Sequence, residues 1–432
     1  MISFGIRASR AGDGALALAV LLLALSFPPS TGASPAPRQT GDTTEAAAPT
    51  PARLRVLFVR ADFPDRPARR PFAEIQNPAR SGLVDRLVDY YDEVSSRRFH
   101  IDASVSKRVY TLPRRRAEYA GKTADLVADA LALASAPGPK GERDWIGRVR
   151  PEGVVVLFAG PGAESEPADA PTESPWSAST RERRFDAAGV TVDRAVVVGE
   201  DPVPPFSSFG VLAHEFGHLL GLPELYAPGR VHEGIGIWGL MGQGTWLGHG
   251  DDPPHPCAWS KLRLGWVDPI ESDGDRHVEL PAVERSALVV KILAKGPEAP
   301  QEYFLIENRR KWGADRRLPG EGLLVWHVDE SRTAFRRSQD EVDHKRVDLL
   351  TADSWPSHLD LGTARGGNRG DAGDPWAARA EGPGPGTVPS TAAYDGSPGR
   401  FSLRNLSAAG EVMTFDVVFE PRETNPLREK AP

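Results

Sequence analysis

Apolar and polar positions fall into recognisable blocks from residue 54 onward. Leu54-Arg55-Val56-Leu57-Phe58-Val59 is an apolar, β-branched run that stops at Asp62-Phe63-Pro64-Asp65, the pattern of a buried strand meeting a turn. Leu83, Val84, Leu87, Val88 and Tyr91 then recur at helical spacing, as do Leu126, Val127, Ala130, Leu131 and Ala134. Gly153 to Ala159 predicts a second buried strand and Val190 to Val198 a third, with an acidic loop rich in Pro and Ser from Gly160 to about Ser179 between them. Helices covering a sheet make this part α/β. A further helix is expected from about Ser208 to Leu220, with Ser207 or Ser208 as N-cap and Gly221 placed to end it. Residues 227–256 are dense in Gly, Pro, His and Trp and read as an irregular wall. From about His277 the pattern is β: Ala287 to Leu293, Tyr303 to Glu307, Gly322 to Val328, Val347 to Thr351 and Val412 to Phe419. A Gly- and Pro-rich insertion, roughly 364–390, interrupts these strands, and no internal repeat is apparent.

Composition narrows the class. With 432 residues, 40% hydrophobic and 26% charged, the chain has the usage of a soluble globular protein large enough for two or three domains. A net charge of −7 with only short arginine runs gives no cationic face, which argues against nucleic acid as a partner. At the N-terminus Arg7 and Arg10 precede an apolar run, Ala15 to Phe27, which breaks at Pro28-Pro29 and reaches Thr31-Gly32-Ala33. That is the pattern of an export signal over 1–33, shorter than the roughly twenty residues of a membrane helix, so an extracellular protein without an integral membrane segment is expected after cleavage. Residues 34–52 read as a flexible linker and 422–432 as a disordered tail. The lone Cys257 cannot form an internal disulfide and is expected to be buried and inert. Nothing in the sequence fixes an oligomeric state.

The chemistry concentrates on the helix after Ser208. His214 and His218, four apart, project from one helical face and can reach one zinc ion, while Glu215 lies beside that ion, placed to take a proton from water without being a ligand. The competing reading is a helix with two surface histidines, but Phe216, Leu219 and Leu220 make the rest of the helix apolar. Gly221 lets the chain turn back, and Leu222-Pro223-Glu224 brings a carboxylate within reach as a third ligand, with the fourth position left to water. His232, His249 and His255, in the Gly-rich wall, are alternative third ligands or plain loop histidines; His327, in an apolar run, reads as a satisfied core histidine. Asp371 and Asp374, in a Gly-rich loop, are candidate calcium ligands.

The full string His-Glu-x-x-His-x-x-Gly-x-x-Glu, residues 214–224, is similar to the metzincin signature and most similar to the immune inhibitor A (thuringilysin-like) peptidases, which end it in Asp after Leu-Pro. Glu224 is a departure from that pattern. Trp238-Gly239-Leu240-Met241-Gly242-Gln243-Gly244-Thr245-Trp246 resembles that family's methionine turn, with Met241 as the apolar floor beneath the zinc. Val88 to Ser95, Leu264 to Pro269, Tyr303 to Arg309, Leu323 to Glu330 and Gly410 to Val417 carry the likeness over roughly residues 54–420. The resemblance implies an α/β (α+β) metzincin-like catalytic domain, 53–272, and a β-rich C-terminal domain, 273–421, together a secreted zinc endopeptidase acting on proteins or peptides. Members are often calcium-stabilised. Only a short linker separates signal from first strand, so latency through a large prosegment is not expected. Two alternatives stand beside this reading, an inactive binding protein on a peptidase fold and a zinc hydrolase of small amides or esters.

Overall fold

The computed structural model describes residues 51–421 except 78, 80–81, 137–145, 147–148, 167–173, 181–183, 188, 201–203, 228–230, 334–338, 354–355 and 363–364. The expected signal, most of the linker and the tail lie outside the described residues. The first strand, β1 (Arg53–Asp62), forms where the apolar run stands, and α1 (Leu83–Val94) and α2 (Thr123–Ser135) form at the two helical repeats. Between those helices lies β2 (His100–Thr111), which the sequence reading passed over. It pairs parallel with β1 at the sheet edge, so much of it stays only half-buried and it carries no continuous apolar run.

The remaining strands of this sheet are β3 (Gly153–Phe158), β4 (Ala178–Thr180) and β5 (Ala195–Gly199), in the order β2-β1-β3-β5-β4. All neighbours are parallel except β4, which runs antiparallel to β5. The single strand expected over Val190 to Val198 is two: Val190–Val192 pairs with Phe185–Ala187 in a separate hairpin, and Asp193-Arg194 breaks the run before β5. β3 is buried along its whole length, which accounts for its unbroken apolar run.

The expected helix is α3 (Ser208–Leu220), followed through the Gly-rich wall by a short α4 (Ala258–Leu264) that was not anticipated. Beyond it, β6 (Asp268–Glu271), β8 (Leu288–Leu293), β9 (Glu302–Arg309), β10 (Gly322–Asp329) and β11 (Val347–Leu350) make one sheet, ordered β11-β10-β9-β8-β6. A second contains β7 (Arg276–Pro281), β12 (Arg379–Glu381), β13 (Phe401–Leu406) and β14 (Val412–Phe419), ordered β12-β13-β14-β7. Here β12 falls inside the expected insertion.

Three apolar clusters hold these layers. One, with Leu57, Val156 and Leu131, lies between the first sheet and α2. Another, with Val290, Ile306, Phe401 and Phe415, lies between the two later sheets. The largest packs α1 and α3 on the first sheet through Tyr91, Val155 and Phe216, then continues through Met241 and Trp259 to Leu305 and Trp326 of the second half. No described helix is long and apolar enough to cross a membrane.

Candidate metal centre

Helix α3 starts and stops where local chemistry dictates. The Ser207 side chain accepts from the Phe209 N–H at 3.2 Å, capping the start, and Gly221 leaves the helix at φ 103°, a left-handed conformation suited to glycine. Every residue of α3 is buried, because it packs on β4 and β5 with α1 alongside. Tyr91 of α1 donates its hydroxyl to the Ala213 carbonyl at 2.8 Å. His214 and His218 are therefore not surface residues, being 6% and 5% exposed.

Each imidazole is fixed at the nitrogen away from its partner. His218 Nδ1 lies 2.8 Å from the Leu222 carbonyl, and His214 Nδ1 lies 2.9 Å from the Leu240 carbonyl with Thr245 Oγ1 at 3.0 Å. A carbonyl can only accept, so Nδ1 carries a proton in both rings, and Nε2 is the nitrogen left to face a metal once any proton it holds is displaced. The two Nε2 atoms share one carboxylate: Glu224 Oε2 is 3.2 Å from His214 and Glu224 Oε1 is 3.1 Å from His218. Donors at about 2.0 to 2.1 Å from a tetrahedral zinc lie about 3.3 to 3.4 Å apart, so Glu224 stands near the spacing from each ring that such an ion needs. Burial alone would lower the His214 imidazole, but the charge and hydrogen bond of Glu224 outweigh it and raise the ring to about 9. Burial likewise works against the Glu224 carboxylate, yet the two imidazoles hold it well below the usual carboxylate range.

Glu215 is 8% exposed, and a ligand atom of its carboxylate lies within 4.8 Å of one on each histidine. Its Oε2 is buried with no hydrogen-bond partner among the described residues, and burial raises the carboxyl to about 7 despite the nearby imidazoles. A buried carboxylate oxygen without a donor among the described residues, beside two imidazoles whose Nε2 atoms face one shared carboxylate, fits a site that takes a cation and a water.

Met241 is fully buried under the same helix. A Cβ on Gly217 would come 2.5 Å from Met241 Sδ, so glycine there is what allows the loop to approach between the two histidines. The Met241 carbonyl accepts from Leu225 N–H at 2.9 Å, tying this loop to the segment that carries Glu224. Trp238 in the same loop offers its carbonyl to Arg309 Nη1 of β9 at 3.1 Å.

The alternative ligands lie elsewhere. His232 accepts from Gly234 N–H at 3.1 Å, His249 faces the Phe206 ring, and His255 lies 2.7 Å from Lys261 Nζ, all outside the cluster of His214, Glu215 and His218. His327 is a buried strand residue whose Nε2 meets Glu302 Oε1 at 2.9 Å, as its apolar setting implied. Asp371 and Asp374 stay together, the Asp371 backbone N–H donating to Asp374 Oδ2 at 2.9 Å. Asp374 accepts from Trp238 Nε1 at 2.7 Å, while Asp371 clusters with Asp353 and His358. Cys257 is buried, and burial pushes its thiol up to about 11, so it is inert at neutral pH. Sequence reasoning missed Thr245, the carbonyls of Leu222 and Leu240, and Tyr226, whose ring stacks 6.3 Å from His214. Only Tyr226, two residues beyond Glu224, had a signal in its position.

Residues 179–267, which contain His214, Glu215, His218, Glu224 and Met241, match the family model described as immune inhibitor A peptidase M6, catalytic domain. The chain resembles the immune inhibitor A peptidases. Immune inhibitor A of Bacillus thuringiensis subsp. alesti is 26% identical over 244 residues, covering 45% of this chain and 34% of that protein. This chain thus matches about a third of its relative's length. The mixed α/β architecture with several sheets is consistent with a peptidase domain.

Proposed function

We propose that the chain is a secreted zinc endopeptidase, with His214, His218 and Glu224 as ligands, Glu215 as general base and Met241 in a metzincin-like methionine turn. The observation that carries this reading is the shared approach of the Glu224 carboxylate to both Nε2 atoms, at 3.2 and 3.1 Å. A bound zinc would supply Lewis acidity, polarising the scissile carbonyl and making a water easier to deprotonate. The protein's part is then to hold and move protons. The carbonyls of Leu240 and Leu222 keep each imidazole in the tautomer whose Nε2 faces the ion. Glu215, with a proton affinity raised by burial, takes the proton of the attacking water at a carboxylate oxygen and returns it to the departing amine. Met241 supports the ligands from below and exchanges no proton. The extra methylene of Glu224, relative to the aspartate of the resembling family, is accommodated because the chain leaves Gly221 and runs back past both rings. In this proposal residues 53–272 carry the chemistry and 273–421 form a β-rich domain that buttresses it.

Elemental analysis of the purified protein, followed by digestion of an unfolded protein substrate with and without chelator, tests the assignment. One equivalent of zinc and chelator-sensitive internal cleavage are expected. A zinc-loaded protein that leaves unfolded protein intact would overturn the endopeptidase reading, and cleavage confined to small amides or esters would redirect it.

A further inference from the structure

At the edge of the first sheet where β1, β3 and β5 begin, a solvent-open cavity of about 560 Å³ is lined by Arg55, Arg150, Arg184 and Arg194 against two acids, Glu152 and Asp193. It shares no residue with the cluster of His214, Glu215 and His218. The concentration of cations is unlike the chain as a whole, which carries a net charge of −7. Glu152 is engaged by Arg55, through the backbone N–H at 3.1 Å and the guanidinium at 3.5 Å, and Asp193 stands 4.0 Å from its neighbour Arg194. Arg150 and Arg184 have no acidic partner among the described residues. Arg150 is also held at φ 48°, with its N–H on the Ile146 carbonyl at 2.9 Å and its carbonyl accepting from Arg55 Nε at 3.1 Å. A non-glycine residue in that left-handed region is costly, and such positions concentrate where a side chain has to be presented to a ligand.

Four guanidiniums around one cavity repel one another, and an anion relieves that repulsion. Guanidinium forks pair most strongly with tetrahedral or planar oxyanions, which they can grip through two N–H bonds at once. The volume lies within the roughly 300 to 1,000 Å³ of small-molecule sites and is far larger than one ion requires. We propose that this cavity binds a multiply anionic small molecule, a phosphate or sulfate ester, at a site separate from the metal centre.

Calorimetric titration of the full chain with inorganic pyrophosphate and, separately, with a fully sulfated disaccharide tests this. At least one probe is expected to bind at about millimolar concentration or below. Arg150→Asn with Arg184→Gln should weaken it at least about tenfold, and added salt should weaken it further. Asparagine tolerates the left-handed backbone of Arg150, so the melting temperature and any chelator-sensitive cleavage should stay at wild-type values. Arg184→Gln alone, on an exposed side chain, repeats the test without touching that backbone. Binding of pyrophosphate only identifies phosphate as the ligand chemistry, and binding of the disaccharide only identifies sulfate. No binding of either probe, or equal affinity in the double variant, overturns the proposal.

Discussion

At the scale of single residues, the proposed chemistry rests on Glu215 and on how protons are shared at the centre. General bases of this kind contribute about 10² to 10⁴ in rate, so Glu215→Gln should lower turnover at least about a hundredfold. Its zinc content should match the wild type, because His214, His218 and Glu224 are untouched; normal cleavage by that variant would remove Glu215 from the mechanism. A second expectation follows from His214, raised to about 9 by Glu224. In metal-free protein the folded ring binds its proton more tightly than the unfolded one, so the resulting stability is fully present below about pH 6.5 and is lost as pH rises through about 9. The loss should be about 3 kcal/mol, read from urea unfolding of chelator-treated protein across that range. Zinc has to displace the same proton, so calorimetry near neutral pH should detect proton release on uptake, with apparent affinity rising toward pH 9. A stability and an affinity that ignore pH there would show that His214 is neutral without metal.

Among elements, α3 was the most legible, because its ends are set by neighbours in sequence: Ser207 caps the start and Gly221 permits the left-handed exit. Its Gly217 offers a test in which two effects oppose. Alanine should favour a helix by about 0.5 to 1 kcal/mol, but a Cβ there would meet Met241 Sδ at 2.5 Å, and forcing extra volume into a packed core costs about 1 to 3 kcal/mol. Overpacking should win. Gly217→Ala is expected to lower the melting temperature and weaken zinc binding, whereas an unchanged melting temperature would mean that the Met241 loop yields freely. Strand β2 was illegible for the opposite reason: an edge strand buries little of its length, so its polar residues hide the pattern. The run from Val190 to Val198 misled because apolar character says nothing about which sheet a segment joins.

For the whole molecule, the largest cluster runs from the first sheet through α3 and the Met241 loop into β9 and β10, joining Phe216 and Met241 to Leu305 and Trp326. Buried charges follow the same path. Arg309, fully buried, pairs with Asp315 and Glu307 and donates to the Trp238 carbonyl. A fragment of residues 53–272 would expose that cluster, so it should bind a hydrophobic dye and lack near-UV circular dichroism; cooperative unfolding of the isolated fragment would show that the first half stands alone. Sequence by itself determined what is local: the apolar runs, the helix caps, the four-residue spacing that puts His214 and His218 on one face, and the return of the chain at Gly221. Only the tertiary structure decided how closely Glu224 approaches those rings, which carbonyls orient them, and that Arg309, far along the chain, steadies the loop of Met241. Periodicity records whether a position is buried, but the identity of a partner many residues away is set by how whole layers stack, and no single segment carries that information.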